Sequence, residues 1–215
     1  MPPLSLLDGR HIVLGVTGSI AAYKAAPLVR LFKKAGTEVR VLMTPSAERF
    51  IPALTLGTLS GTTVHSEIFP DDDPDSWTEH VSLGLWADLF VIAPATAQTV
   101  AKLAHGFSDN MLTATALSAR CPLLVCPAMD LDMYQHPATQ ANFERLQSFG
   151  YEVMPAAHGE LASGLEGQGR LPEPDAIVAE AAACIEQADA APEPHAQPSD
   201  ALHGCTVLVT AGPTE

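Results

Sequence analysis

His11-Ile-Val-Leu-Gly-Val16, followed by Thr17-Gly-Ser19 and a long helical pattern, is the stretch that decides the fold of this chain. The apolar run predicts a buried strand, and between Ile20 and Ala35 the apolar side chains recur near a 3.6-residue rhythm. Gly36 then stands where a helix commonly ends. A strand, a tight turn and a helix are therefore predicted, which together form the repeating unit of an α/β sheet.

The same alternation of strand and helix patterns continues along the chain. Further strands are predicted at residues 38–43, 88–93, 122–126 and 151–154, and helices at 52–60, 96–105, 110–119, 137–149 and 175–187. The strands are nearly continuous apolar runs, which is typical of parallel strands covered on both faces. The sequence thus predicts an α/β fold with a doubly wound parallel sheet, a Rossmann-like or flavodoxin-like three-layer sandwich.

Composition excludes several classes of function. The 215 residues suffice for one substantial core, and an apolar fraction of 47% excludes general disorder. A net charge of −14 argues against binding to nucleic acid or to an anionic membrane. The four cysteines lack the spacing of a disulfide framework or a zinc site, so we expect reduced thiols and no metal. With no signal-peptide pattern and no membrane-spanning run, the cytoplasm is the expected location.

The texture of the sequence changes near its C-terminus. Residues 1–187 form the predicted α/β domain, and residues 188–201 are rich in Pro, Ala and acidic side chains, which is typical of an extended linker. Cys205-Thr-Val-Leu-Val-Thr210 then predicts a new strand. Residues 202–215 are therefore expected to begin a second domain.

Three successive strand ends carry small and hydroxyl-bearing residues. They are Gly15-Val-Thr-Gly-Ser-Ile-Ala-Ala22, Met43-Thr-Pro-Ser46 and Ala93-Pro-Ala-Thr-Ala-Gln-Thr99. Ligands of open α/β sheets bind beyond the carboxyl ends of the strands, and free N–H groups at a helix start can hold a phosphate. Each turn alone also fits an ordinary helix cap. Together the three turns favour a phosphorylated cofactor.

Three other segments contain candidate functional residues. Cys126-Pro-Ala-Met-Asp-Leu-Asp-Met-Tyr134 is an acidic, methionine-rich loop at another strand end, where Pro127 is expected to stop the ladder. His80 suits proton transfer near neutral pH, although a lone histidine is more often structural or exposed. The glycine-rich segment 160–174 predicts a mobile loop, either a lid or an idle surface loop. Within it, Arg170 is a candidate anion contact or a member of an exposed ion pair.

Taken together, these segments resemble the homo-oligomeric flavin-containing cysteine decarboxylases, and among them the phosphopantothenoylcysteine decarboxylases. The resemblance covers roughly residues 9–185, and residues 202–215 resemble the opening of a phosphopantothenate–cysteine ligase domain. It implies FMN as cofactor, 4′-phosphopantothenoylcysteine as substrate and self-association into trimers or dodecamers. The implied residues are Gly18, Ser19, Ile20, Thr44 and Ser46 at the FMN phosphate; Thr96, Ala97, Gln98, Thr99 and Ala128 at the flavin; His80 in catalysis; and Met129, Asp130 and Met133 at the substrate.

The chain departs from the family pattern at two chemically important positions. Asp130 stands where the signature Pro-X-Met-Asn-X-X-Met has its Asn, and Ser163 stands where the family has a proton-donating Cys. A carboxylate facing the substrate carboxylate is repulsive unless one of them is protonated, and a serine hydroxyl is a far weaker acid than a thiol. Cys126, His158 or Glu160 could donate the proton instead. Three hypotheses follow: complete conversion to 4′-phosphopantetheine, oxidative decarboxylation that releases an enethiol, or flavin binding without turnover.

Overall fold

A five-stranded parallel sheet forms the centre of the protein. The computed structural model describes residues 4–69 and 79–190. The sheet strands are β1 (His11–Val16), β2 (Glu38–Met43), β3 (Leu89–Ala95), β4 (Leu123–Pro127) and β5 (Glu152–Val153), in the order β2-β1-β3-β4-β5. Every pairing between them is parallel. This is the strand order of flavodoxin-like folds, so the predicted class is confirmed.

Helices cover both faces of this sheet. The α-helices are α1 (Ala25–Lys34), α2 (Ala53–Ser60), α3 (Glu79–Trp86), α4 (Ala97–His105), α5 (Met111–Ser118), α6 (Leu131–Gln135), α7 (Pro137–Ser148) and α8 (Pro174–Ala190), with short 3-10 helices at Leu4–Leu7, Ile20–Lys24 and Ala47–Arg49. Alternation along β1 divides the core: Ile12 packs with α1 and α8, whereas Val13 packs with helices of the opposite face. The result is the predicted three-layer sandwich.

The structure corrects four local expectations. Pro127 does not stop the ladder, because it is the last residue of β4 and lies opposite Ala95 of β3. The glycine-rich segment is largely an antiparallel hairpin of β6 (Ala157–Glu160) and β7 (Glu166–Arg170), not a mobile loop. Helices α3 and α6 lie where no helix is expected from the sequence pattern.

The C-terminal division of the chain stays a prediction. Helix α8 continues to Ala190, three residues beyond the expected domain end at 187. Most of the expected linker and all of the ligase-like segment fall in residues 191–215, which lie outside the described residues. Within residues 4–69 and 79–190, none of the helices has both the length and the apolar character needed to cross a bilayer.

Candidate functional site

The turns after β1 and β3 are joined by one buried hydroxyl. Thr17 is 1% exposed; its Oγ1 donates a hydrogen bond to the carbonyl of Pro94 at 2.7 Å and accepts one from the amide of Thr96 at 3.0 Å. β1 and β3 are neighbours at the switch point of the sheet, where ligands of this fold bind. Thr17 therefore fixes two of the predicted cofactor turns against each other. The sequence reasoning missed this role, although the residue stands directly between β1 and Gly18.

The turns after β1 and β2 also meet. A Cβ built on Gly18 would lie only 2.4 Å from the Oγ of Ser46, so the backbone at Gly18 is in close contact with that side chain. Ser46 Oγ in turn lies 3.1 Å from Thr44 Oγ1. Ser19 adds a third hydroxyl, which accepts a hydrogen bond from the amide of Ala21. Three hydroxyls around a glycine turn at a helix start suit the phosphate of a nucleotide-like cofactor.

The turn after β3 is organised by a helix cap. Thr96 Oγ1 accepts a hydrogen bond from the amide of Thr99 at 3.4 Å and donates to Thr99 Oγ1 at 3.2 Å. Ala97 is half-buried, Gln98 is exposed and Thr99 is buried. The small residues Ala95 and Ala128 are linked here by a backbone hydrogen bond of 3.0 Å. A flat ring can therefore approach the backbone of these two strand ends without meeting large side chains.

A cavity of about 530 Å³ lies beside the first turn and brings cofactor and substrate candidates together. Three parts of the chain line it. They are the first turn with its 3-10 helix (Ser19, Ile20, Ala21, Tyr23 and Lys24), the loop after β4 (Ala128, Met129 and Asp130), and the hairpin with the residue that follows it (Glu160, Leu161, Ala162, Gly169, Arg170 and Leu171). The remaining predicted residues do not line this cavity. Met133 is 50% exposed on α6, and the Asp130 carboxylate accepts no hydrogen bond within the described part of the chain.

The hairpin is fastened to the loop that follows β4. The amide of Met129 donates a hydrogen bond to the carbonyl of Gly169 at 3.0 Å. A Cβ on Gly169 would lie 2.3 Å from the Met129 carbonyl oxygen, and one on Gly167 would lie 2.6 Å from the side chain of Leu131. The glycines therefore permit close packing, which is why this segment is ordered. Ser163 is exposed at the hairpin tip, where its Oγ accepts a hydrogen bond from the amide of Leu165 at 3.4 Å.

Lys24, the last residue of the 3-10 helix Ile20–Lys24, binds the segment that follows the hairpin. The residue is 7% exposed, and its ammonium donates to the carbonyl of Leu171 at 3.1 Å and to the carboxylate of Glu173 at 2.7 Å. The hydrogen bond from Lys24 holds the pKa of Glu173 below its usual range. Lys24 was not among the predicted residues, and its place in an otherwise ordinary helical pattern gave no signal. Its contacts fix one wall of the cavity.

Three candidate proton donors differ sharply in accessibility. Cys126 is fully buried in the core, and this burial raises the pKa of its thiol far above the usual range. It cannot reach the cavity, so the sequence-based suggestion that it donates a proton is wrong. His158 and Glu160 are both exposed on β6, and Glu160 lines the cavity.

His80 stands apart from the cavity in this single chain. It is half-buried in the first turn of α3, directly after residues 70–78, which lie outside the described part of the chain. Its Nδ1 is buried and has no hydrogen-bond partner among the described residues. An imidazole nitrogen without a partner is unusual, because buried polar atoms normally have one. The structure does not bring His80 together with Met129 and Asp130.

Comparison with known proteins places the chain in a family. A flavoprotein family model matches residues 2–186. Among solved structures, a cysteine-to-serine variant of PPC decarboxylase complexed with pantothenoylaminoethenethiol superposes with a TM-score of 0.73 at 33% identity, over 80% of this chain and 96% of that one. The FMN binding protein AtHal3 gives a TM-score of 0.72 at 32% identity, over 83% and 97% of the two chains.

Curated relatives agree with these structural matches. The coenzyme A biosynthesis bifunctional protein CoaBC of Mycolicibacterium smegmatis is 46% identical over 95% of this chain and 47% of its own length. The chain thus spans about half the length of such bifunctional relatives. The probable phosphopantothenoylcysteine decarboxylase of Streptococcus mutans is 46% identical over 79% of this chain and 95% of its own length. The chain therefore belongs to the flavoprotein family, in the group that contains the phosphopantothenoylcysteine decarboxylases.

Proposed function

We propose that this chain catalyses the FMN-dependent decarboxylation of 4′-phosphopantothenoylcysteine to 4′-phosphopantetheine, a step of coenzyme A biosynthesis. One observation carries the proposal: a single cavity joins the first-turn residues Ser19 and Ile20 to Met129 and Asp130 after β4. The former match the cofactor motif of the family and the latter its substrate motif. The names of the relatives support the substrate and the reaction, and we propose the cytoplasm as the location.

The residues present fit FMN. Gly18, Ser19, Thr44 and Ser46 would hold its phosphate, because they offer hydroxyls and a backbone turn that a Cβ would obstruct. The strand ends beside Ala97 and Ala128 would flank the ring, together with Thr96, Gln98 and Thr99 at the start of α4. When bound, FMN supplies the two-electron oxidation of the cysteine side chain that makes loss of carbon dioxide favourable.

Asp130 gives this site an electrostatic character of its own. Its side chain lines the cavity and has no hydrogen-bond partner among the described residues, so it is available to a ligand. If both Asp130 and the substrate carboxylate were charged, their repulsion would be relieved when the substrate carboxylate leaves as neutral carbon dioxide. If Asp130 were protonated beside that charge, it would instead donate a hydrogen bond to it. Asp130→Asn separates these two cases: removal of a repulsive carboxylate should lower both KM and kcat, whereas an Asn amide can replace a donated hydrogen bond and leave both nearly unchanged.

A second function is favoured by Ser163. Decarboxylation that stops before the final reduction would release an enethiol, which is two hydrogens lighter than 4′-phosphopantetheine. Ser163 is a poor acid and Cys126 is buried in the core, so neither supplies the proton that reduction needs. The solved cysteine-to-serine variant of a related decarboxylase was likewise complexed with an enethiol.

One experiment distinguishes these functions. Purified protein loaded with FMN is supplied with 4′-phosphopantothenoylcysteine, and carbon dioxide, product mass and flavin absorbance are followed. Formation of 4′-phosphopantetheine with reoxidised flavin supports the decarboxylase, whereas the lighter product with reduced flavin supports enethiol release. Bound FMN without carbon dioxide would indicate a binding protein, and failure to bind FMN would refute the proposal. Ser163→Ala should leave decarboxylation intact, and Ser163→Cys should increase the yield of reduced product.

We also propose that the chain self-associates, as trimers or as dodecamers built from them. Helices α3 and α5 pack against each other and leave Val81, Leu85 and Leu117 exposed by 40%, 54% and 51%. The unpartnered Nδ1 of His80 lies on the same helix α3. A second copy covering this surface would remove apolar area from water and could bring His80 to a neighbouring cavity. Light scattering after size-exclusion chromatography measures the mass, and a monomer would contradict this proposal.

A further inference from the structure

We propose that Arg170 binds the phosphate of the substrate and thereby makes the enzyme selective for the phosphorylated pantothenoyl arm. The inference rests on the proposed function and assigns a role to a residue outside the matched family motifs. A chain of net charge −14 repels a phosphate dianion at long range, so a cation inside the cavity would favour its binding. Two cationic residues, Lys24 and Arg170, line the cavity.

Lys24 is already occupied by structural contacts. Two of its three N–H donors are used by the Leu171 carbonyl and by Glu173, and the Glu173 carboxylate compensates its charge. Arg170 is engaged far less. Its Nη2 lies 4.0 Å from the same Glu173 oxygen, which is too far for a hydrogen bond, and its side chain is 43% exposed. Glu173 neutralises only one of the two cations. The other carboxylates that line the cavity, Asp130 and Glu160, form no ion pair with Arg170 among the described residues.

A β-bulge and a glycine of the hairpin set the direction of the Arg170 side chain. Ala157 lies opposite Arg170 and His158 opposite Gln168, so Gly169 is an extra residue in β7. Such bulges redirect the neighbouring side chain. Across the hairpin, a Cβ on Gly159 would lie 2.9 Å from Nη1 and 3.0 Å from Cδ of Arg170. The arginine side chain therefore rests directly on the Gly159 backbone, and a side chain at position 159 would push it aside.

This placement suits a phosphate better than the carboxylate of the substrate. A phosphate dianion is costly to remove from water, so it is best held at the solvent-facing part of a cavity, where Arg170 is half-exposed. The planar guanidinium presents paired donors that match phosphate oxygens. Asp130, at the loop after β4, lies in the segment that matches the carboxylate-binding motif. The two ends of the substrate thus have separate partners.

Arg170→Gln tests the assignment. We compare KM for 4′-phosphopantothenoylcysteine and for pantothenoylcysteine, which lacks the phosphate, and we measure the binding of 4′-phosphopantothenate and pantothenate by calorimetry. Loss of a charge-assisted pair should raise KM and Kd for the phosphorylated compounds about 10- to 100-fold. The values for the unphosphorylated compounds should change less than about twofold. Arg170→Lys should fall between the wild type and Arg170→Gln, because it keeps the charge but loses the paired donors.

Two further variants make the result decisive. Arg145→Gln, a change at an exposed arginine of α7 outside the cavity, should leave both substrates unaffected. Gly159→Ala should displace Arg170 and lower the preference for the phosphorylated compounds without removing a charge; because φ of Gly159 is +155°, thermal unfolding is measured to show that β6 remains folded. An equal loss for both substrates in Arg170→Gln would overturn the assignment, as would unchanged phosphate preference. If the wild type decarboxylates neither compound, the proposed function itself fails, and the calorimetric comparison still tests Arg170.

Discussion

Gly18→Ala should weaken FMN binding while leaving the fold almost untouched. The new Cβ would lie 2.4 Å from Oγ and 2.7 Å from Cβ of Ser46, whereas ordinary contacts begin at 3.4 Å. One of the two turns must therefore move by about 1 Å. Ser46 is exposed, so its movement costs little packing, but it breaks the contact between Ser46 Oγ and Thr44 Oγ1. The hydroxyls predicted at the phosphate would no longer converge.

The magnitude follows from the bonds that are lost. A hydrogen bond to a charged group contributes about 1.5–3 kcal/mol, and each 1.4 kcal/mol changes affinity tenfold. Misplacing one Ser46 hydroxyl should therefore raise the Kd for FMN by about 10- to 100-fold. The apo-protein should lose less than about 1 kcal/mol of stability, because the displaced side chain is at the surface.

Quenching of FMN fluorescence by apo-protein measures the Kd, and thermal unfolding of the apo-protein measures stability. Gly57→Ala is the matched control, since that glycine lies within α2 and its Cβ would come no closer than 3.2 Å to another residue. Adding Ser46→Gly to Gly18→Ala should not restore the affinity, although it relieves the clash, because the hydroxyl is then absent. An FMN Kd within twofold of the wild type for Gly18→Ala would refute the placement of the phosphate.

Two other substitutions test the walls of the cavity. Lys24→Met should lower the free energy of unfolding by about 1–3 kcal/mol in denaturant titrations, because the buried carbonyl of Leu171 loses its donor. Lys24 also holds the pKa of Glu173 low, so the Lys24–Glu173 pair stabilises the fold above the unfolded pKa of the carboxyl, and this stabilisation is lost as pH falls through the folded pKa. Lys24→Met should remove this dependence of stability on acid pH. Gly169→Ala should raise the substrate KM by a larger factor than the Kd for FMN, since its Cβ would lie 2.3 Å from the Met129 carbonyl. An unchanged KM would contradict the role of the hairpin.

The sheet was predictable because its signals are local. Apolar runs ending at glycine, proline or hydroxyl-bearing residues locate the strands, and the rule that ligands bind beyond strand ends locates the cofactor turns. At Pro127 the local signal gave the wrong strand end. Proline lacks an N–H and is expected to end a ladder, yet it remains within β4, where its neighbour Ala128 donates the next hydrogen bond to Ala95. Where β4 ends therefore depends on its pairing with β3, which is distant in sequence.

The hairpin was not predicted because glycines occur both in mobile loops and at positions where two backbones pack closely. Gly164, Gly167 and Gly169 suggest mobility when only local conformational freedom is considered. In the structure, Gly167 and Gly169 are instead the points where β7 approaches Leu131 and Met129 most closely. Whether a glycine lies in a mobile loop or in a closely packed strand depends on the residue opposite it, and here that residue is about forty positions away in the sequence. Arg170 is recognisable from the sequence as a candidate anion contact, but its position against Gly159 follows from the pairing of β6 with β7.

Which residue can donate the final proton depends on which side chains are buried, and the sequence reveals burial only in part. The sequence alone does not distinguish between three possible proton donors, Cys126, His158 and Glu160. In the structure Cys126 is buried in the core, and only Glu160 of these three lines the cavity. Ser163 is exposed at the hairpin tip and is a poor acid, so reduction to 4′-phosphopantetheine within one chain needs a proton from another group or from water that enters the cavity. Release of the enethiol would need no such donor. The mass of the product therefore reports whether reduction occurs without the family cysteine: a reduced product requires another proton source, and the lighter product shows that the reaction stops before reduction.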